Sequence, residues 1–253
     1  MKRILTTVFL CLTFTFSAYA QSGQQTPDAA KPSKLPTVDQ IIEKSVNATG
    51  GKAAIEKITS RVTKGTIEIA AMGLKGSTEA YTKAPNKTLS LTTIGGIGQF
   101  KQGYDGKTAW AEDPVQGLRE LTGAELALVK RDSEIRGELK FKELYPKSVV
   151  KSTAKVGSRD AYVVEATPTE GSPETFYFDM ETGLLLRRDF VLESAQGTFP
   201  TETYLEDYKK VDGIMIPHTV RQTTSVTSFV IKITEVTHNV PIDDAKFVKP
   251  SGQ

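Results

Sequence analysis

Hydrophobic positions along this chain keep two different periods. Between residues 37 and 58 the spacing is helical: Val38, Ile41, Ile42, Val46 and Thr49 fall on one face, the stripe of an amphipathic helix. Thr37-Val38-Asp39-Gln40 opens it with the spacing of a capping box, and Gly50-Gly51 ends it. A shorter helical piece over 52–58 turns Ala54, Ile55 and Ile58 inward. The period then drops to two. Thr66-Ile67-Glu68-Ile69-Ala70 alternates, and so does Lys87-Thr88-Leu89-Ser90-Leu91-Thr92. Further strands are expected over 77–84, 97–104, 107–112, 148–155, 160–167, 174–179, 184–194, 198–209, 214–223 and 226–239. Asp105-Gly106, Gly157-Ser158, Thr182-Gly183, Gln196-Gly197 and Asp212-Gly213 separate many of them with residues that tolerate positive φ. Connections this short make successive strands antiparallel.

One stretch interrupts the strands. Thr122-Gly123-Ala124-Glu125 repeats the capping-box spacing, Leu126, Leu128 and Val129 follow, and a helix is expected over 123–134. About twelve strands and three helical pieces, with no linker inside 37–248, predict one mainly antiparallel β domain with a few helices (α+β). A single sheet of that size curls to limit its open edges. The expectation is a strongly curved sheet with the helices covering its concave side.

The N-terminus changes the composition. Lys2 and Arg3 precede an uncharged run over 4–16, and Ser17-Ala18-Tyr19-Ala20 offers small residues ahead of Gln21. That is a secretory signal peptide, 1–20, cut after Ala20. Residues 21–36 read as a flexible leader, since Leu35 is their one large apolar residue. Cleavage removes two of the 32 basic residues, none of the 30 acidic ones, and Cys11, the one cysteine. The remaining 233 residues then carry no net charge and no thiol, which excludes disulfides, thiolate chemistry and cysteine-held metals. Leu10 is too large for a lipid-modification site at Cys11, so a freely diffusing periplasmic protein is expected.

Candidate chemistry is sparse. His218 and His238 are far apart in strand-like surroundings and read as surface or sheet-edge residues, and no cluster has metal spacing. No serine sits in a Gly-x-Ser-x-Gly elbow, and Gly95-Gly96-Ile97-Gly98 leads into a strand, not a phosphate-binding helix. Asp243-Asp244 and Glu112-Asp113 read as turn residues, and Arg187-Arg188 is too short a basic run for nucleic acid. No cofactor and no catalysis are expected. What remains is apolar surface at strand period: Ile67 and Ile69, Leu89 and Leu91, Trp110, Phe176 and Phe178, and Phe229, Ile231 and Ile233. Part of it is core, and part is a candidate lining for an acyl-chain cavity. The stretch 123–139, with Leu126 and Val129, is the candidate lid.

Four segments carry a resemblance. They are Asn47-Ala48-Thr49-Gly50-Gly51 with Ile58-Thr59-Ser60, and Tyr104-Asp105-Gly106-Lys107-Thr108-Ala109-Trp110. The others are Phe178-Asp179-Met180-Glu181-Thr182-Gly183-Leu184, and Asp207-Tyr208-Lys209-Lys210-Val211-Asp212-Gly213-Ile214 with Pro217. In this order the chain resembles the bacterial outer-membrane lipoprotein-sorting superfamily, which includes a periplasmic lipoprotein carrier, its outer-membrane receptor and a periplasmic regulator. The resemblance implies an unclosed β-barrel whose helices cover the concave face over an apolar cavity. It also implies a monomer that binds a lipid or lipoprotein acyl chain, or an envelope protein, without catalysis. The chain is longer than the carriers and, unlike the receptor, is not itself a lipoprotein. A protein-interaction or sensor module without lipid is the first alternative, and a hydrolase the second.

Overall fold

The two periods separate helices from strands in the structure, a computed structural model that describes residues 35–194 and 197–251. The signal peptide, Cys11 and the leader as far as residue 34 lie outside the described residues. Helix α1, Val38–Thr49, is capped as its sequence predicts: Thr37 Oγ1 accepts from the Gln40 N–H at 3.3 Å, and Gln40 Oε1 accepts from the Thr37 N–H at 2.9 Å. Gly50 ends it at φ 142°, pressed against the carbonyl of Gly213, where no side chain fits. Helix α2 is Lys52–Glu56, α3 is Gly123–Asp132 and α4 is the single turn Phe141–Leu144.

Thirteen strands form among the described residues. The first six are β1 Ser60–Ile69, β2 Leu74–Lys83, β3 Lys87–Ile94, β4 Gly98–Tyr104, β5 Ala109–Asp113 and β6 Gly117–Glu120. Then come β7 Lys147–Val156, β8 Arg159–Thr167, β9 Glu174–Asp179 and β10 Leu185–Ser194. The last three are β11 Gly197–Val211, β12 Ile214–Thr224 and β13 Ser228–His238. They build one antiparallel sheet in the order β6-β5-β4-β3-β2-β1-β13-β12-β11-β10-β9-β8-β7. β6 and β7 are its free edges, so the sheet is unclosed. The chain steps outward from β1 to β6, crosses through α3 and α4 to β7, and steps back to β13 beside β1.

Three details differ from the sequence reading. β6 was not expected, because Gly117-Leu118-Arg119-Glu120 has one apolar residue and no alternation. β1 begins at Ser60, six residues before the alternation becomes visible, since Arg61 and Lys64 break the pattern. The second capping box does not form: Thr122 makes no side-chain cap, and Glu125 instead grips Arg119 with two bonds of 2.7 and 2.8 Å.

Strand register sorts the apolar ladders by face, because directly opposed residues share one side of a sheet. Ile67 opposes Ile231, Ile231 opposes Val220, and Val220 opposes Leu205. Two residues along β11, Thr203 opposes Arg188, which opposes Phe176. All of these lie on one face, where α1, α4 and the α3–α4 linker pack: Ile41, Phe141 and Tyr145 against Val164, Phe176 and Phe178, and Ile135 with Ile55 and Ile58 against Ile214 and Ile216. Leu89 opposes Tyr81 and Gly103, and Gly103 opposes Trp110, which puts this group on the other face.

The chain after β13 covers that second group. Phe247 and Ile242 are buried against Leu89 and Trp110, and the Trp110 indole N–H donates to the Phe247 carbonyl at 2.9 Å. Lys83 and Lys87 pair with Asp244 at 2.7 and 2.8 Å, which holds the Asp244 carboxyl well below its ordinary range, to about 2. Gly103 is small for a reason: a methyl there would lie 2.6 Å from Trp110 Cζ2. Gly103→Ala is expected to cost about 1–3 kcal/mol by overpacking, read as a lower urea midpoint at unchanged slope.

Candidate functional site

On the helix-bearing face a cleft of about 470 Å³ opens between α1, the α3–α4 connection, strands β9 to β12 and the ends of β1 and β2, which contribute Arg61 and Thr82. This is within the ~300–1,000 Å³ typical of small-ligand sites. Its apolar surface comes from Phe141, Phe176, Phe178, Leu185, Ile214 and Ile216. Charged residues line it as well, namely Arg61, Arg131, Asp132, Glu134, Glu138 and Arg188, of which the sequence reading noted only Arg188, as half of a short basic run.

Two of these, Arg131 and Arg188, converge on Glu174, which is not itself part of the lining and whose side chain is 1% exposed. It accepts from Arg131 Nη2, from Arg188 Nε at 2.7 Å and from the Tyr145 hydroxyl at 2.9 Å. Arg188 also reaches Asp132 with both Nη groups, at 3.0 and 3.1 Å. Two cations and two carboxylates therefore balance, with Glu174 buried and Asp132 at the surface, and Arg188 lies over the rings of Phe176 and Phe190. Burial works against the Arg188 cation, but Asp132 and Glu174 outweigh it and hold its pKa above the usual value. Tyr145 is raised chiefly by burial, so its hydroxyl stays a donor. The cluster fastens the end of α3 and the turn α4 to β9 and β10. Arg187, the neighbour of Arg188, points to the opposite face and pairs there with Asp189 and Glu202, so neither arginine of that run is a free basic patch.

A second polar group sits where β1 meets β13. Arg61 opposes His238, and its Nε lies 3.1 Å from His238 Nε2, while His238 Nδ1 lies 3.1 Å from Asp212. The expectation of a surface or edge histidine is corrected here. β13 is the middle strand of the sheet, and the His238 side chain is 1% exposed. Burial lowers its pKa, with Asp212 opposing and Arg61 reinforcing the shift, so the ring is neutral at pH 7. His218 is half-buried, its Nδ1 2.9 Å from the Ile216 carbonyl oxygen.

The expected cavity residues separate into distinct groups. Phe176 and Phe178 line the cleft. Ile67 and Ile69 share its face but pack with Ile94, Phe229 and Ile231 in a cluster of their own. Ile233 is half-buried opposite Gly65. Leu89, Leu91 and Trp110 belong to the cluster under the C-terminal segment, on the other face. Leu126 and Val129 pack on Tyr104, Ala109 and Leu121, while the part of the connection that lines the cleft runs from Arg131 onward. No group of metal-ligating side chains forms among the described residues.

Three solved structures have this architecture. A LolA superfamily protein from Nitrosomonas europaea superposes with a TM-score of 0.57 at 14% identity, over 85% of this chain and 99% of that one. A DUF1329 family protein from Desulfovibrio piger gives 0.55 at 17%, over 83% and 97%. A putative outer membrane lipoprotein-sorting protein domain from Vibrio parahaemolyticus gives 0.53 at 14%, over 83% and 96%. The chain has the lipoprotein-sorting fold. No protein-family model matches it, and neither does any curated sequence.

Within this lipoprotein-sorting fold, two buried charged residues were signalled in the sequence. Glu174 is in phase with Phe176 and Phe178, so a carboxylate had to share their apolar face, and a buried carboxylate needs cationic partners. Arg188 likewise alternates with Phe190 and Leu192. Arg61 had no such marker, because its strand shows no alternation around it.

Proposed function

We propose that this is an exported, non-catalytic binding protein of the bacterial envelope that holds an acyl chain in the cleft, to carry it or to sense it. The cleft carries the reading: an open, largely apolar space on the helix-bearing face of a lipoprotein-sorting fold. Removing a lipid chain from water is favourable by about 0.8 kcal/mol per methylene, so even a partly buried chain is retained. The sheet is the curved wall of an unclosed barrel, and α1, α2 and the 121–146 connection cover its concave side. Leu126 and Val129 anchor that connection over β4 and β5, and its 131–145 part is the cover that shifts for entry and release. The N-terminal signal delivers the protein to the periplasm, where it works as a monomer with no cofactor.

Native mass spectrometry of the exported protein tests this. The expected result is a species heavier than the bare chain by one amphiphile, released by solvent extraction and identified in the extract. Co-purification of a stoichiometric protein, with no lipid in the extract, would establish the interaction-module reading in its place.

A further inference from the structure

We propose that Arg61 anchors the headgroup of the ligand, which is therefore an amphiphile with an anionic head, such as a long-chain carboxylate. The inference deepens the acyl-chain reading and rests on it. Three arginines line the cleft: Arg61, Arg131 and Arg188. Arg131 and Arg188 are neutralised by Glu174 and Asp132. Arg61 is not: among the described residues no carboxylate lies within ion-pair distance of it, and its one side-chain partner is the His238 ring.

The ring fixes the guanidinium without neutralising it. Arg61 Nε–H has to donate, so His238 Nε2 accepts, and the ring proton sits on Nδ1 and goes to Asp212. One edge of the fork is thereby held, and the Nη groups are left to grip a carboxylate or phosphate in bidentate fashion. Burial destabilises the lone cation and lowers its pKa, and the one charge pulling the other way is Glu138, an exposed residue of the same cleft lining that stands beyond ion-pair distance. A ligand anion would supply the missing counter-charge inside.

The dimensions agree. From β1, which carries Arg61, to β9, which carries Phe176 and Phe178, is five strand steps. That is roughly 24 Å measured along the sheet at the usual strand spacing, an upper limit to the straight span and on the scale of one extended long acyl chain. Head at Arg61 and tail toward the phenylalanines therefore uses the length of the cleft. The ester- and amide-linked chains of a lipoprotein carry no charge at their carbonyls and would leave Arg61 unmatched.

Displacement of a fluorescent fatty acid from the whole mature protein tests the anchor, with palmitate, its methyl ester and hexadecyl phosphate, all of one chain length, as competitors. Palmitate or hexadecyl phosphate is expected to compete at least about tenfold better than the ester, equivalent to 1.4 kcal/mol. Preference for one of the two assigns the head as carboxylate or phosphate. Arg61→Met should remove that advantage and leave ester binding unchanged, and Arg61→Lys should restore part of it. Equal competition by acid and ester on the unaltered protein overturns the anchor and leaves the acyl reading standing. So does an Arg61→Met loss that is the same for both. Absence of any binding overturns both. The comparison on the unaltered protein decides the matter even where Arg61→Met does not fold.

Discussion

Replacing Glu174 by alanine is expected to destabilise the protein by about 3–5 kcal/mol, the usual cost of removing one member of a buried ionic group. Arg131 and Arg188 would then face each other inside the fold, with Asp132 alone to balance them, and the Tyr145 hydroxyl would lose its acceptor. Chemical denaturation followed by far-ultraviolet circular dichroism measures the loss. Glu174→Gln keeps the volume but not the charge, so it should fall near the alanine variant. Replacing the cluster together, with Arg131→Met, Arg188→Met and Glu174→Leu, should cost less than Glu174→Ala alone, because no charge is then left buried and unmatched. A loss below 1 kcal/mol for Glu174→Ala would show that water reaches the cluster freely and that it does not hold the α3–α4 connection in place.

Phe247→Ala is expected to cost a similar amount, about 3–5 kcal/mol, through a different mechanism. Phe247 is fully buried, and its carbonyl holds the indole of Trp110. The cavity left by the ring would loosen the C-terminal segment from Leu89 and Trp110. Trp110 is the one tryptophan of the chain, so its fluorescence reports on this site alone. Its emission should shift to longer wavelength in Phe247→Ala at temperatures where the far-ultraviolet spectrum is unchanged. Ligand affinity should stay near that of the unaltered protein, because the cleft is on the opposite face. A matching fall in affinity would mean that the two faces are coupled through β1 and β2.

These two sites show what alternation in a sequence reveals and what it leaves hidden. Twelve of the strands and the first three helices were legible, because Ile67/Ile69, Phe176/Phe178 and the α1 stripe keep their period and glycine turns separate them. Which ladders share a face was not legible. Leu89 and Ile67 alternate equally well, and only pairing through β1, β2 and β3 shows that they point in opposite directions. The cover over Leu89 and Trp110 was hidden too, since Ile242 and Phe247 lie in an irregular segment without a period. The inward charged residues escaped for other reasons. Arg188 and Glu174 occupy positions where a hydrophobic pattern predicts apolar side chains, and a pattern search reads such residues as breaks, while Arg61 lies in a stretch with no pattern to break.

The path of the chain through the sheet also has a consequence for how the protein assembles. Every strand pair but one joins neighbours in sequence, and each can close as a local hairpin. The exception is β1 with β13, where Lys64 meets Glu235 at a sequence separation of 171. Contacts between distant residues bear the largest loop-closure entropy and are made slowly. Two hairpin arrays, β1–β6 and β7–β13, can therefore form first and join last along this central seam. Arg61 and His238 face each other across the same seam, so the headgroup anchor is completed only when the two arrays meet.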